Sequence, residues 1–121
     1  MKALLLVAHG SRRESSNEEI RQVTRCLADK AGEQFGDVRC AFLELAEPSI
    51  PDGIIECAEA GASEVIVLPY FLSAGRHVAE DIPEEISKTD GRLPEGVIVR
   101  QADYLGSLDG ITELLLSAAN C

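Results

Sequence analysis

Apolar runs alternate with amphipathic stretches along the whole chain. Residues 4–8, 38–45, 65–71 and 97–99 form the apolar runs, the second interrupted by Arg39 and Glu44, and such runs suit strands covered on both faces. Helical spacing fills the gaps. Ile20, Val23, Leu27 and Ala31 recur at three and four residues, with Gly32 and Gly36 as stop signals. Ser49 followed by Asp52 predicts a capped helix start, with Pro51 in the first turn and Ile54, Cys57 and Ala58 facing inward until Gly61. Val78, Ile82 and Ile86 share a face, but Pro83 lacks a backbone donor, so that helix starts near Asp81 or bends there. Gly91, Pro94 and Gly96 mark 89–96 as a surface loop, and Leu105, Leu108, Ile111, Thr112, Leu115 and Ala119 predict a last helix.

The order β-α-β-α-β-α-β-α requires a parallel sheet with right-handed crossovers and helices on both faces. Four strands predict an α/β flavodoxin-like layer, most simply with strand order 2-1-3-4. Ligands in such sheets sit beyond the carboxyl ends of the strands where the order reverses, here between the first and third strands.

Length and composition narrow the class. The 121 residues fit a single domain, 1–121, that folds without disulfides or a structural metal. There is no Trp and aromatics make up only 4%, so the core is aliphatic and stacking platforms for bases are not expected. Eleven basic against 21 acidic side chains give a net charge of −10, which argues against nucleic acid or an anionic membrane as partner. A small anionic ligand stays open. The N-terminal apolar stretch is too short for a signal peptide, and no run approaches the ~20 residues that span a bilayer, so a cytoplasmic protein is expected. Cys26, Cys40, Cys57 and Cys121 are scattered without metal-ligand spacing; the first three are expected as reduced core residues, and Cys121 has no assignable role.

The chain has two histidines, and they mark the proposed switch point from both sides. His9 directly follows the first strand, and His77 lies in the loop after the third. A lone loop histidine is most often a capping or hydrogen-bonding residue, but two at one ligand-binding edge point to a shared site. Two imidazoles with a nearby carboxylate suit Fe, Co, Ni or Zn rather than Ca or Mg, and the same groups can act as bases near neutral pH. Glu44, near the end of the second strand, and Glu47, in the following loop, are the candidate acids. Gly10 and Ser11, with Arg12 and Arg13, form a turn whose exposed amides are placed to receive an anionic group; Gly75 and Arg76 offer a second cationic approach.

The segments LLVAHGSR at 5–12, FLE at 42–44 with PSI at 48–50, and LPYFLSAGRHV at 68–78 with DIP at 81–83 resemble the class II chelatases, which insert a divalent metal into sirohydrochlorin. The match runs from the first strand to the third helix. The resemblance implies that His9 and His77 are both the metal-handling and the catalytic pair, with Glu44 the accompanying acid. It places the macrocycle against Gly10, Ser11, Arg12, Ser73, Gly75 and Arg76. No permanently bound cofactor is implied; Co²⁺, Fe²⁺ or Ni²⁺ is a substrate. Larger members hold two such domains in one chain, so a chain of this length is expected to act as a homodimer. The histidine-rich tail of some short members is missing here, so metal storage is not expected. Two other readings use the same residues. A metal or tetrapyrrole carrier would need the same pocket, and only turnover separates it from a chelatase. A histidine-phosphatase-like phosphotransferase would carry Arg before its histidine, where this chain has Ala8. A flavin protein is disfavoured by the missing phosphate loop and Trp.

Overall fold

β1 (Lys2–Ala8) pairs in parallel with β2 (Asp37–Phe42) on one side and β3 (Glu64–Pro69) on the other, and β4 (Ile98–Gln101) adds to β3. The resulting order, β2-β1-β3-β4, is the expected one. The computed structural model describes residues 1–120, so Cys121 lies outside the described residues. Between the strands run α1 (Glu14–Ala31), α2 (Ile50–Glu59) and α3 (Ile82–Ser87), and α4 (Gly110–Ala119) follows β4. β1 is central, and every residue from Ala3 to Ala8 is buried. That double coverage is why its sequence reads as an aliphatic run rather than an alternating one.

The core lies between the sheet and the α2–α3 layer. Ala3, Leu5, Val7, Ala41, Val65 and Val67 from the sheet meet Ile50, Ile54, Cys57 and Ile82 from the helices. The start of α2 is capped as its sequence predicts: the Asp52 amide donates to Ser49 Oγ at 3.2 Å, satisfying one of the free first-turn donors. No helix among the described residues is long and apolar enough to cross a membrane.

Three expectations change, and one open alternative is decided. β2 stops at Phe42 rather than at 45: the Leu43 amide closes the ladder on Ala8 O, the next amide, Glu44, points the same way to His9 O and so breaks the alternation of a strand, and Leu45 takes a left-handed φ of 66°. The third helix takes the bent alternative: residues His77–Asp81 form one π-helical turn, closed by Ile82 N donating to His77 O, before α3 begins with Pro83 in its first turn. The last helix is split. Residues Leu105–Ser107 wind into a tight 3₁₀ turn, and the backbone of Gly106 lies so close to the Leu72 carbonyl that a Cβ would fall 1.8 Å from its oxygen. Only Leu108 and Asp109 separate this turn from α4. Finally, Cys26 is exposed on α1, whereas Cys57 is buried and Cys40 half-buried.

Candidate functional site

The carboxyl ends of β1 and β3 are neighbours in the sheet, and the loops that leave them hold the two histidines. His9 follows β1 directly. Its loop interlocks with the one after β2: Leu43 N donates to Ala8 O at 2.9 Å and Glu44 N to His9 O at 3.0 Å. Gly10 permits this approach. Its φ is +93°, and a Cβ there would lie 1.8 Å from the Glu44 carbonyl oxygen. The interlock holds Glu44 Oε1 at 3.1 Å from His9 Nε2. His9 Nδ1 lies 3.0 Å from the Gly10 carbonyl, which only accepts, so Nδ1 carries the hydrogen and donates. Nε2 faces the Glu44 carboxylate, which also only accepts, so the space between them favours a shared proton or, in its place, a cation.

His77 is held by a different device. The π-helical turn brings its Nδ1 within 2.8 Å of Asp81 Oδ2, and the ionised carboxylate accepts, so Nδ1 again carries the hydrogen. Nδ1 of each histidine thus has a fixed acceptor, and Nε2 of His9 faces Glu44. Their ring centroids are 4.8 Å apart at an interplanar angle of 64°, with Phe71 6.1 Å beyond His77. A carboxylate behind a ligating imidazole fixes its orientation and raises its basicity. Among the described residues, no three His, Cys, Asp or Glu side chains are grouped to enclose an ion. The arrangement is thus an open edge with two outward nitrogen donors and one acid.

The remaining predicted residues separate into near and far. Gly10 and Ser11 border an open groove of about 270 Å³ shared with His9, Ser16, Asn17 and Tyr70. The amides of this turn are not exposed in the way the sequence suggests: Ser11 N donates to Asn17 Oδ1 at 2.9 Å, and Arg13 N donates to Ser11 Oγ at 3.0 Å. Arg12 and Arg13 project outward and are exposed. Arg76 shares its charge with Glu80 at 3.6 Å and Asp81 at 3.8 Å. Ser73 and Gly75 lie in the exposed loop before His77. Glu47 faces elsewhere, into an open cleft of about 520 Å³ bordered by Asp52, Glu56, Glu59 and Arg92 and containing no histidine. That cleft is the largest of the surface depressions described here and is remote from the histidine chemistry.

Asn17 and Asp81 are the positions that sequence reasoning did not assign. Asn17 is only 2% exposed, and its amide also donates to Ser11 O at 2.8 Å, so it braces the turn behind His9 from inside α1. Its signal in sequence is weak, because the partner lies six positions away and no periodicity links them. Asp81 stands in the DIP segment, four residues after His77, which was a usable signal.

The whole chain was compared with known proteins. A family model described as CbiX matches residues 3–120. The sirohydrochlorin ferrochelatase of Priestia megaterium is 35% identical over 121 residues, covering 99% of this chain and 44% of that protein. The sirohydrochlorin cobaltochelatase of Methanococcus maripaludis is 31% identical over 144 residues, covering 99% of both chains. The chain thus spans less than half of one relative and nearly all of another. Among solved structures, the sirohydrochlorin chelatase SirB from Bacillus subtilis subspecies spizizenii, in complex with cobalt, matches with a TM-score of 0.83 at 27% identity, covering 98% of this chain and 50% of that one. A cobalamin biosynthesis CbiX protein from Marinobacter aquaeolei matches with a TM-score of 0.81 at 26% identity, over 99% and 95% of the two chains.

Proposed function

The chain belongs to the CbiX family, and from that premise we propose that it is an enzyme that inserts a divalent metal, Co²⁺, Fe²⁺ or Ni²⁺, into sirohydrochlorin. The observation that carries this reading is the pair of imidazoles 4.8 Å apart, with Nδ1 of each at an acceptor and Glu44 beside Nε2 of His9. Insertion exchanges two pyrrole N–H protons for one M²⁺. It needs a metal held by few, replaceable ligands and acceptors for those protons. His9 and His77 supply two neutral nitrogen donors, enough to receive a partly hydrated ion and too few to retain it against four macrocycle nitrogens. As the metal leaves them, the same Nε2 atoms can take up the pyrrole protons, and Glu44 stabilises the imidazolium formed at His9. Metal and macrocycle are both substrates here, and the reading requires no permanently bound group.

Sirohydrochlorin carries many carboxylates, whereas the chain has a net charge of −10. Arg12, exposed beside the His9 turn, is assigned the main cationic contact, with Gly10 and Ser11 as the floor. Ser73, Gly75 and Arg76 are assigned the opposite rim. Arg76 contributes less, because Glu80 and Asp81 already share its charge. Charge reversal at Arg12 is expected to raise the macrocycle KM more than reversal at Arg76. We take residues 1–121 as one unit and the working form as two copies, since this chain covers 44% of one relative that carries the activity in a single longer chain. Scattered thiols fit a reducing, cytoplasmic setting.

The test is anaerobic absorbance spectroscopy of sirohydrochlorin with each metal in turn. Many metallated macrocycles per chain support the reading; conversion that stops at one per chain, or at the spontaneous rate with every metal, contradicts it.

A further inference from the structure

Among the described residues, α4 is an apolar helix that buries none of its own residues in a single copy. Its sequence, GITELLLSAA, contains one charge, Glu113. Leu114, Leu115 and Leu116 are each at least 60% exposed. Ile111, Leu114, Leu115 and Ala118 follow the spacing of one helix face. Left in water, such a face is a liability rather than a stabilising element.

A matching vacancy exists on the sheet. α2 and α3 cover one face, and α1 lies over the β1–β2 part of the other. The β3–β4 part of that second face has no helix of its own, and Ile98 on β4 is 61% exposed. Between α1 and the Leu105–Ser107 turn runs an apolar groove of about 220 Å³, bordered by Leu6, Val23, Leu27, Leu68, Leu105 and Leu108. It continues along Ile20, Val23 and Tyr70 toward the His9 turn. A parallel sheet is covered by helices on both faces, so the missing cover is a helix of α4's character. The two-residue link from the clamped Gly106 turn carries α4 off its own sheet instead of across it.

We propose that α4 is exchanged between two copies of this chain, each helix seating its Ile111–Leu114–Leu115 face in the α1–β3 groove of the other copy. Exchange of an identical element closes with twofold symmetry, so no open chain of contacts results. The area is sufficient. A ten-residue helix is about 15 Å long and 10 Å wide, so half its cylinder and the groove beneath it remove roughly 500 Å² and two exchanges about 1,000 Å², at the threshold for a biological interface. The contact is low in charge rather than complementary: two copies at −10 repel, and the contact adds one acid on the helix, Glu113, and one at the groove, Asp103, to an otherwise apolar seam. Added salt should therefore strengthen the assembly. Because the groove leads to His9, the exchange sets the two histidine edges in a fixed relation. The inference rests on the two-copy reading above and names the element that joins the copies.

The test places a photo-crosslinking residue at position 115 of the full chain and uses an equal mixture of ¹⁴N- and ¹⁵N-labelled protein. Exchange predicts adducts to peptides carrying Val23 or Leu105, half of them of mixed isotope, in a species of twice the chain mass by light scattering. Same-isotope adducts alone overturn it, since α4 then folds onto its own sheet. A dimer whose adducts join α4 to α4 overturns the exchange while the two-copy reading stands. A monomer at tens of micromolar overturns both. Leu115→Glu should weaken dimerisation at least tenfold and leave the circular dichroism spectrum unchanged; an undisturbed dimer contradicts the proposal.

Discussion

Gly10→Ala probes how closely the His9 turn depends on the loop that carries Glu44. The new Cβ would start 1.8 Å from the Glu44 carbonyl oxygen, and real Cβ contacts essentially never fall below 3.0 Å, so that carbonyl must retreat by more than 1 Å. The retreat strains the bonds Glu44 N→His9 O and Leu43 N→Ala8 O, which together are worth about 2 kcal/mol. Holding Ala at φ +93° adds about 1 kcal/mol. The variant should therefore lose about 2–3 kcal/mol in urea denaturation and still be folded. Its insertion rate should fall about a hundredfold, because a displacement of this size separates Glu44 from His9 Nε2. Gly91→Ala, in the surface loop before β4, is the control: φ is +76° and no atom lies within 4 Å of the built Cβ, so it should lose about 1 kcal/mol and keep most of its rate. Wild-type turnover by Gly10→Ala would refute the claim that the interlocked loops set the catalytic geometry.

The histidine pair was legible in the sequence because its logic is topological: both residues follow strands that flank the reversal in strand order. The strands themselves were legible because burial on both faces leaves an aliphatic run. The end of β2 was not, since Leu43 is as apolar as its neighbours while the successive amides of Leu43 and Glu44 both bond toward Ala8 and His9, which breaks the alternation of a strand. Periodicity reports which side chains match, not where backbone donors point. Asn17 escaped for the same reason. In the last helix the sequence reading joined Ile111 and Leu115 with Leu105 and Leu108, which the structure places before α4, and a stripe says which face needs cover and not whether this chain supplies it. Cys26 was placed in the core on composition alone, and the helix register puts it outside.

Other consequences can be checked separately. Asp81→Ala should lower kcat about tenfold or more with little change in macrocycle KM, and Asp81→Asn should recover part of it by accepting from Nδ1 of His77; equal losses in both would count against a positioning role. Asn17→Ala removes a buried amide bonded to both backbone groups of Ser11 and should cost about 2 kcal/mol in urea denaturation, with a lower rate from the loosened His9 turn. Burial pushes the Cys57 thiol from 9.0 up to about 12. Its folded value lies above the unfolded one, so the associated stability is complete below pH 9 and is lost as pH rises toward 12, which urea midpoints across that window would report. Peptide mapping after alkylation near neutral pH should find Cys26 labelled in the folded protein and Cys57 only after unfolding.

The central claim is that His9 and His77 act together at one edge of the sheet. The direct measurement is the initial rate of metal insertion into sirohydrochlorin, under anaerobic conditions, for wild type, His9→Ala, His77→Ala and the double variant, each shown to be folded. Both single variants should fall to near the spontaneous rate, with the double variant no slower than either, because the two nitrogens work as a unit. A single variant that keeps the wild-type rate would contradict the account.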